Sequence, residues 1–344
     1  MIRFECDYAE GAHPEILKRL AETNDEQTPG YGMDEHCERA RSLIRGLCGT
    51  NQVDVHFLVG GTQTNKTMIA AALRPHQGVV AAESGHIAQH ETGAIESCGH
   101  KVLTLPETEG KISAGQIEAL CSAHEAEDSP EHTVQPGMVY LSNPTEYGTL
   151  YSRSELQAIQ EVCRRHGLFL MMDGARLGYG LVAEGNDIQV SDLVQLCDMF
   201  YIGGTKVGAF FGEAVVIVNE TLKKDFRYYI KQNGGLFAKG RLLGIQFEVL
   251  FEGSLYWNIS RRAVALAMRI REAFLQKGFR MQYSSPTNQQ FFVLPAAVLE
   301  KLSEKYHFSA FAKTPEGETI VRICTSWATK EENVNSLIRD IQTL

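Results

Sequence analysis

The 344-residue sequence lacks the long hydrophobic runs that would place it in a membrane. Its longest apolar stretches, GLFLMM and AVVIV, have the length of buried strands and fall well short of the roughly 18–20 residues that cross a bilayer. The amino-terminal stretch MIRFECDYAEGAHPEIL also lacks the basic start and apolar core of a secretion signal. We therefore expect a soluble, cytoplasmic protein with no membrane partner.

Paired cysteines are absent as well. Eight cysteines occur singly, with no CxxC pair, at positions 6, 37, 48, 98, 121, 163, 197 and 324. Scattered single cysteines are typical of buried thiols in a reducing compartment rather than of a disulfide framework or a zinc site. A chain of this length can bury a large core without a metal or a disulfide, and we predict no metal site.

Basic residues are in the minority, with 33 Lys and Arg against 42 Asp and Glu and a formal charge of −9. This deficit argues against nucleic acid or an anionic membrane surface as the main partner, although it leaves room for one small anion-binding pocket. The composition, 44% hydrophobic and 22% charged, excludes disordered and collagen-like classes. The length suggests two domains, or one large α/β domain with a smaller one.

Short apolar strands alternate with amphipathic helices through the middle of the chain, which is typical of a mainly parallel sheet covered on both faces. Strands are predicted at 54–59, 78–82, 101–104, 137–142, 168–173, 199–203 and 214–218. Helices are predicted at 63–73 and 153–166, and 122–135 is expected to be a solvated loop. A long helix beginning near 253 and running to 277, strands at 289–294 and 319–324, and a terminal helix at 330–344 predict a smaller α+β domain.

The segment Gly60-Gly61-Thr62-Gln63-Thr64-Asn65 lies directly between a predicted strand and a predicted helix. Free N–H groups at a helix start, with glycines that permit close approach, can bind a phosphate. The segment has neither the Walker spacing nor the GxGxxG pattern. An ordinary strand-to-helix turn therefore remains an alternative.

A carboxylate, Asp173, ends the strongly apolar strand LFLMMD, and open α/β sheets bind ligands at this end of their strands. An unpaired buried carboxylate is costly, so we expect a cationic partner for it. The alternatives are that Asp173 caps the following segment or pairs with Arg176.

Lys206 lies among small residues in IGGTKVG, between two apolar strands. Desolvation there would lower its pKa and prepare it for Schiff-base chemistry, whereas a lysine that extends to solvent is the alternative. His86 also follows a strand, where its ring could cover a planar cofactor. A lone histidine is more often structural, and His90 is expected to be more peripheral.

These parts together are those of a pyridoxal phosphate site. In such a site the lysine binds the aldehyde, the strand-end carboxylate keeps the pyridine nitrogen protonated, and the upstream turn holds the phosphate. The lysine follows Asp173 by 33 residues. No single motif is specific, but their combination is.

With these motifs the sequence resembles the low-specificity L-threonine aldolase and β-eliminating lyase family over nearly its whole length. The shared segments are DYAEGAHP at 7–14, Tyr31-Gly32, GGTQTN at 60–65, the segment around His86, DGAR at 173–176, GGTK at 203–206 and NGG at 233–235. The resemblance implies the α/β, PLP-dependent transferase-like fold type I of the aspartate aminotransferase superfamily. It further implies a large domain at 1–250, with a mainly parallel seven-stranded sheet between helices, and a small C-terminal α+β domain at 251–344.

The resemblance also implies site residues. Lys206, His86 and Asp173 would be catalytic, with Lys206 bound to the cofactor, Asp173 on the pyridinium and His86 stacked on the ring and available as a base. Gly61 and Thr62 would hold the phosphate.

The substrate-binding residues implied by the resemblance come from several parts of the chain. Arg176 would contact the ring hydroxyl or the substrate carboxylate, and the N-terminal segment, with Cys6 where many members carry a serine, would join the site. Arg322 would clamp the substrate carboxylate, since a planar guanidinium binds a carboxylate with two hydrogen bonds, unless it is a surface charge on its strand. Tyr31 would reach the site of a neighbouring subunit.

Two further departures concern the reaction. The segment 143–148, NPTEYG, takes the place of one that often holds a second active-site histidine, and this leaves Glu146, His86 or a water to handle the substrate hydroxyl. After NGG at 233–235 many members place an arginine, for which Lys239 or Arg241 could substitute.

The activity implied by the resemblance is cleavage of L-threonine or L-allo-threonine to glycine and an aldehyde. The alternatives are β-elimination on another amino acid, and a binding or regulatory module without catalysis. The family further implies a homodimer or homotetramer with active sites at the subunit interface.

Overall fold

The computed structural model describes residues 1–344. Its strands are β1 (Ile2–Arg3), β2 (Asp54–Leu58), β3 (Gln77–Ala82), β4 (Val102–Leu105), β5 (Gln135–Ser142), β6 (Phe169–Asp173), β7 (Met199–Gly203), β8 (Glu213–Ile217), β9 (Met281–Tyr283), β10 (Gln289–Leu294), β11 (Tyr306–His307), β12 (Ser309–Lys313) and β13 (Thr319–Cys324).

The helices surround two of the three sheets. They are α1 (Pro14–Glu22), α2 (Glu35–Cys48), α3 (Gly61–Ala72), α4 (His86–Gln89), α5 (Ala114–Glu125), α6 (Arg153–His166), α7 (Leu177–Leu181), α8 (Val190–Leu196), α9 (Glu220–Lys223), α10 (Phe226–Gln232), α11 (Arg241–Glu252), α12 (Leu255–Gln276), α13 (Ala296–Ser303) and α14 (Glu331–Gln342). None of them is both long and apolar enough to cross a membrane.

The main sheet has seven strands in the order β2-β8-β7-β6-β5-β3-β4. The pairs among β7, β6, β5, β3 and β4 are parallel, whereas β8 is antiparallel to both of its neighbours. The predicted fold class, a mainly parallel seven-stranded sheet with helices, is confirmed. Because parallel strands share a direction, the carboxyl ends of β5, β6 and β7 meet at one edge of the sheet.

Local sequence signals explain why several elements end where they do. Ser152 caps α6 in a reciprocal arrangement with Glu155, and Gly167 ends the helix with a left-handed backbone conformation. The boundaries of α6, β7, β10 and β13 are those that the sequence predicts.

The prediction of a loop at 122–135 is wrong over its first four residues. Ser122–Glu125 continue α5, which begins at a capping box formed by Ser113 and Gln116 and buries Ile117 and Cys121. The last turn of α5 carries polar side chains, so its composition alone indicated a loop. The sequence also did not predict α11, which is buried on nearly all sides from Leu243 to Phe251 and therefore has no clear polar face.

A second sheet of four antiparallel strands, in the order β12-β13-β10-β9, packs beside α12 and α14. The amino-terminal strand β1 pairs in parallel with β11, and Phe4 is buried in the same apolar cluster as residues of α12 and α14. The N-terminal segment thus joins the C-terminal part of the chain. The division into domains at 1–250 and 251–344 remains a prediction.

We expect Phe292→Ala to lower the free energy of unfolding by about 3–5 kcal/mol, because it opens a cavity in this second core. The ring is fully buried and stacks on Phe274 with centroids 4.6 Å apart. Chemical denaturation measures the change. Leu275→Ala is the control, because Leu275 is next to Phe274 on α12 but is 39% exposed. Equal losses of unfolding free energy in the two variants would contradict the prediction.

Candidate active site

A cavity lies where β5, β6 and β7 end. Six residues that the sequence singled out line it together: Gly61, His86, Glu146, Asp173, Arg176 and Lys206. Its wall also includes Ser142 and Tyr201. The cavity therefore gathers residues from widely separated parts of the chain at one edge of the main sheet.

Asp173, the last residue of β6, is buried and has no salt bridge. Its Oδ2 accepts hydrogen bonds from Tyr140 Oη at 2.6 Å and Asn65 Nδ2 at 3.1 Å, and its Oδ1 accepts one from the Ala175 N–H at 2.9 Å. Burial opposes ionisation, but the charge of His86 and these hydrogen bonds hold the pKa of Asp173 below its ordinary value. The alternative that Asp173 pairs with Arg176 is wrong, because that arginine binds Asp7, and no cationic partner forms the expected salt bridge with Asp173.

Close approach of two backbone segments positions the loop that carries Lys206 beside Asp173. The Gly203 N–H donates to the Gly174 carbonyl at 2.9 Å. A Cβ at residue 174 would lie 1.9 Å from the Tyr201 carbonyl oxygen, and one at 203 would lie 2.2 Å from that of Ala175. Glycine is therefore required at both positions.

Lys206 is partly buried at the cavity, and its ammonium group makes no hydrogen bond or ion pair within the chain. Burial lowers the pKa of Lys206, and the positive charge of Arg176 lowers it further, while Asp7 and Asp173 oppose the shift. A lysine with a lowered pKa has more of its amine in the nucleophilic form. The alternative of a solvent-exposed lysine is therefore wrong.

Sequence reasoning did not identify Glu213, the first residue of β8, as part of this region. Its carboxylate is buried and accepts a hydrogen bond from the Gly204 N–H at 3.1 Å, in the turn that carries Lys206. Burial raises the pKa of Glu213 to about 8, although the nearby charge of Lys206 acts in the opposite direction. An acidic residue at the start of an otherwise apolar strand was the available signal.

His86 begins the short helix α4 and joins a buried hydrogen-bond chain. Its Nδ1 lies 2.8 Å from Glu91 Oε1, and the same oxygen accepts from Asn65 Nδ2 at 2.8 Å. Because Asn65 Nδ2 also contacts Asp173, one amide connects the two carboxylates. His90 is exposed, with its ring centroid 5.6 Å from that of His86.

Arg176 is bound by Asp7, whose contribution sequence reasoning missed. The guanidinium donates from Nε to Asp7 Oδ2 at 2.6 Å and from Nη2 to Oδ1 at 3.0 Å. Asn288 Nδ2 donates to Asp7 as well, at 2.9 Å. Although burial alone would raise it, the charge and hydrogen bonds of Arg176 hold the pKa of Asp7 at about 2.

The glycine-rich segment forms the first turn of α3, which begins at Gly61. Gly60 precedes the helix and supplies no side-chain cap, so the first N–H groups of the helix are open to a ligand. Gly61 lines the cavity, whereas Thr62 is exposed and is not part of its wall.

Three other predicted residues do not line this cavity. Arg322, on β13, donates from Nη2 to the Glu5 carbonyl at 3.2 Å, and its buried Nε has no partner. The charge of Arg322 acts on Cys6, Tyr8 and His90, so that it lies near the N-terminal segment and the His86 helix. Cys6 is partly buried, and burial raises its pKa.

Tyr31 lies elsewhere, 46% exposed, with Lys231 Nζ 5.3 Å from its ring centroid. Of the two residues considered as substitutes for a missing arginine, Lys239 is exposed. Arg241 donates to the carbonyl oxygens of Asn24 and Glu26 of the same chain.

The groups around the cavity fit pyridoxal phosphate. A hydrogen-bonded carboxylate with a lowered pKa suits a protonated ring nitrogen, an unpaired lysine suits an aldehyde, and an uncapped helix start suits a phosphate. Tyr201 Oη is buried without a partner and also faces this cavity, where a polar ligand would satisfy it.

Comparison with solved structures gives the same class. The fold matches the aspartate aminotransferase of Thermus thermophilus with a TM-score of 0.71 at 14% identity, covering 100% of this chain and 92% of that one. The chain is a pyridoxal-phosphate-dependent enzyme of fold type I. The beta-eliminating lyase family matches residues 6–299, and the chain belongs to that family.

More similar proteins share nearly the full length. A structure of Leishmania major threonine aldolase is 42% identical and has a TM-score of 0.97, covering 100% of this chain and 99% of that one. The low specificity L-threonine aldolase of Pseudomonas aeruginosa is 31% identical over 344 residues, which is 99% of this chain and 97% of the relative.

We expect the ion pair at Asp7 to make stability depend on pH. A carboxyl whose pKa falls from 3.8 to about 2 on folding stabilises the fold above its unfolded pKa, and this contribution is lost as the pH falls towards 2. Between pH 5 and pH 3 the unfolding free energy of wild type should therefore fall by about 1 kcal/mol more than that of Asp7→Asn.

Urea denaturation at the two pH values measures this difference. Asp128→Asn, at an exposed position without hydrogen bonds, should keep the wild-type pH dependence. A wild-type decrease no steeper than that of Asp7→Asn would show that Asp7 is not the group responsible.

Proposed function

We propose that this chain cleaves the Cα–Cβ bond of L-threonine, L-allo-threonine and related 3-hydroxy-α-amino acids, giving glycine and an aldehyde. Full-length similarity to proteins named threonine aldolase, at 42% identity in one case, is the observation that carries this proposal. The cavity supports the proposal, because the unpaired Lys206 and the buried Asp173, whose pKa is lowered, both line it.

In this proposal Lys206 would bind the cofactor aldehyde, Asp173 would hold the ring nitrogen in its protonated form, and the first turn of α3 at Gly61, with Thr62, would bind the phosphate. When bound, pyridoxal phosphate supplies the electron sink for the pair released from the broken bond. Tyr140 and Asn65 keep Asp173 ionised and fix its orientation through their hydrogen bonds. His86 covers the ring and is tethered through Nδ1 to Glu91.

Arg322 is the better candidate of the two arginines for the substrate carboxylate. Arg176 already gives two of its nitrogens to Asp7, whereas the buried Nε of Arg322 has no partner. An unpaired guanidinium nitrogen near the N-terminal segment can donate to a carboxylate, and the planar group can bind it with two hydrogen bonds. Arg176 would then contribute positive charge next to the cofactor, and Cys6, on the same N-terminal segment as Glu5, would approach the substrate bound by Arg322.

The hydroxyl proton of the substrate needs a base as the Cα–Cβ bond breaks. Two groups in the cavity wall can accept it, His86 and Glu146. General-base catalysis by a positioned side chain contributes typically about 10²–10⁴-fold to the rate.

β-Elimination is the second candidate function, and the description of the matching family favours it. In that reaction Lys206 would take the Cα proton while a substituent leaves Cβ. Both reactions use the same cofactor-binding residues, so the products distinguish them.

With L-threonine, the purified enzyme should release glycine and acetaldehyde in equal amounts, and borohydride should fix the cofactor to the chain. Lys206→Ala should lose both the adduct and the activity, because no amine remains to bind the aldehyde. Mass spectrometry and an aldehyde assay measure the two effects.

Lys224→Ala, at an exposed lysine, is the control and should behave as wild type. Pyruvate and ammonia from serine or cysteine, without aldehyde from threonine, would replace the aldolase proposal with β-elimination. A protein that binds the cofactor but turns over no amino acid would instead be a binding module.

We also propose that the enzyme is a cytoplasmic homodimer or homotetramer with active sites at the subunit interface. Exposed large side chains support the association: Tyr31, Met33, Tyr228 and Phe237. Tyr31 and Phe237 line one small depression, and the Tyr31 N–H donates to the Ala238 carbonyl at 3.1 Å. Exposed apolar clusters of this kind are typical of interfaces, and this one would carry Tyr31 to the partner's site.

Co-expression of Tyr31→Ala and Lys206→Ala chains tests the shared site. In a hybrid dimer one site would combine an intact Lys206 with an intact Tyr31 from the other chain, so activity should return to about a quarter of wild type for random pairing of the two chains. Each variant alone should be nearly inactive. Activity in the mixture equal to the sum of the separate variants would contradict a shared site.

A further inference from the structure

Glu146 is held in the cavity by one carboxylate oxygen only. Its Oε1 accepts hydrogen bonds from Ser142 Oγ at 2.7 Å and from the His86 N–H at 2.8 Å. Neither bond involves Oε2, which has no hydrogen-bond partner in the chain. The side chain lines the same cavity as Lys206 and Asp173, so its second oxygen is available to a bound substrate.

The turn that carries Glu146 is rigid. Thr145 Oγ1 and Thr149 Oγ1 lie 2.6 Å apart, and the Thr145 N–H donates to the Thr149 carbonyl at 2.9 Å. Gly148 has a φ of 74°, and a Cβ there would lie 2.2 Å from Ser285 Oγ. These contacts fix the turn against Ser285, which lies between β9 and β10 of the second sheet. The position of the Glu146 carboxylate is fixed with the turn.

The surroundings of Glu146 also suit proton transfer. Burial raises its pKa above the ordinary value of a glutamate, and the negative charge of Asp173 raises it further, while the Ser142 hydrogen bond and the charge of His86 oppose the shift. Beyond the effect of burial, the negative charge of Glu146 in turn raises the pKa of two neighbouring tyrosines, Tyr140 and Tyr151. A base is most effective when its pKa lies near the working pH.

His86 is tethered beside Glu146. Its Nδ1 is bound to Glu91, which leaves Nε2 as its one ring nitrogen without a partner, and its backbone N–H is the donor that fixes Glu146. The two residues thus have different tasks within one hydrogen-bonded unit.

We propose that Glu146 is the catalytic base that takes the β-hydroxyl proton of the substrate, an inference that rests on the proposed function. Oε2 accepts the proton from the hydroxyl oxygen, the O–H pair becomes the second bond of the aldehyde carbonyl, and the Cα–Cβ pair stays with Cα. One proton then returns to Cα to complete glycine, so the reaction consumes and releases no net proton.

Glu146→Gln is the decisive variant, because its amide oxygen can still accept from Ser142 and His86 while its NH₂ group cannot accept a proton. We expect kcat/KM for L-threonine to fall by about 10²–10⁴-fold. Exchange of the Cα proton of glycine in D₂O, followed by NMR, should stay within about threefold of wild type, because glycine has no hydroxyl. Cofactor content after borohydride reduction should be unchanged.

The pH profile supplies an independent readout. Only the ionised form of Glu146 accepts a proton, so wild-type kcat/KM should rise with pH through its pKa, and Glu146→Gln should lose this limb. Glu83→Gln, an exposed glutamate just after β3, is the matched control and should keep wild-type cleavage, exchange and pH profile.

Each outcome decides the matter. Wild-type cleavage in Glu146→Gln would contradict the role of Glu146 as the base. An equal loss of cleavage and glycine exchange would also contradict it, because Glu146 would then only support the structure of the site. A wild-type enzyme that exchanges glycine but cleaves no 3-hydroxy-amino acid overturns the proposed function itself, and this result is recognised without any variant.

Discussion

The crowding of carboxyl groups around one cavity is the constraint on which the site depends. Five acidic side chains are gathered there or directly behind its wall, Asp7, Glu91, Glu146, Asp173 and Glu213, against two basic side chains, Lys206 and Arg176. Like charges in a poorly solvated site cannot all ionise, so protons are divided unequally. The pKa of Asp7 falls to about 2 beside its guanidinium, whereas that of Glu213 rises to about 8. Burial, with the charge of Asp173, raises the pKa of Glu146, whereas against the effect of burial the charge of His86 and hydrogen bonds lower the pKa of Asp173. Different acid–base tasks thus become possible at a single pH.

The sheet supplies the geometry that brings these charges together. Parallel β5, β6 and β7 end side by side, and the contact between Gly174 and Gly203 draws the two following loops closer than any side chain would allow. One loop carries Arg176 and the other Lys206. Burial and the positive charge of Arg176 lower the pKa of Lys206, and Asp7 is the counter-ion that compensates the charge of Arg176. A buried guanidinium without such a partner would cost several kcal/mol.

Much of this architecture was predictable from sequence because its signals are local. The 3.6-residue period of apolar residues located α6, and short apolar segments located β7, β10 and β13, each with the bounds of the structure. Strand-end position was enough to bring Asp173 and Lys206 into one hypothesis. What sequence reasoning missed depends on contacts between distant segments: Asp7 binds Arg176 169 residues away, and Asn65 contacts Asp173 across 108. No local pattern indicates which buried polar group receives which partner, and a helix as uniformly buried as α11 has no periodicity to detect.

The pairing of β1 with β11 affects the order in which parts of the chain can fold. The Ile2 N–H donates to the Lys305 carbonyl at 2.9 Å, the Phe4 N–H to the His307 carbonyl at 2.8 Å, and the Cys324 N–H to the Phe4 carbonyl at 2.7 Å. All strands of the main sheet leave the ribosome before these partners do. A nascent chain can therefore assemble the sheet with Lys206 and Asp173 in place, while Asp7 still lacks the neighbours that anchor its segment. Residues that follow the whole main sheet in the chain thus secure the segment that carries Asp7, the counter-ion of Arg176.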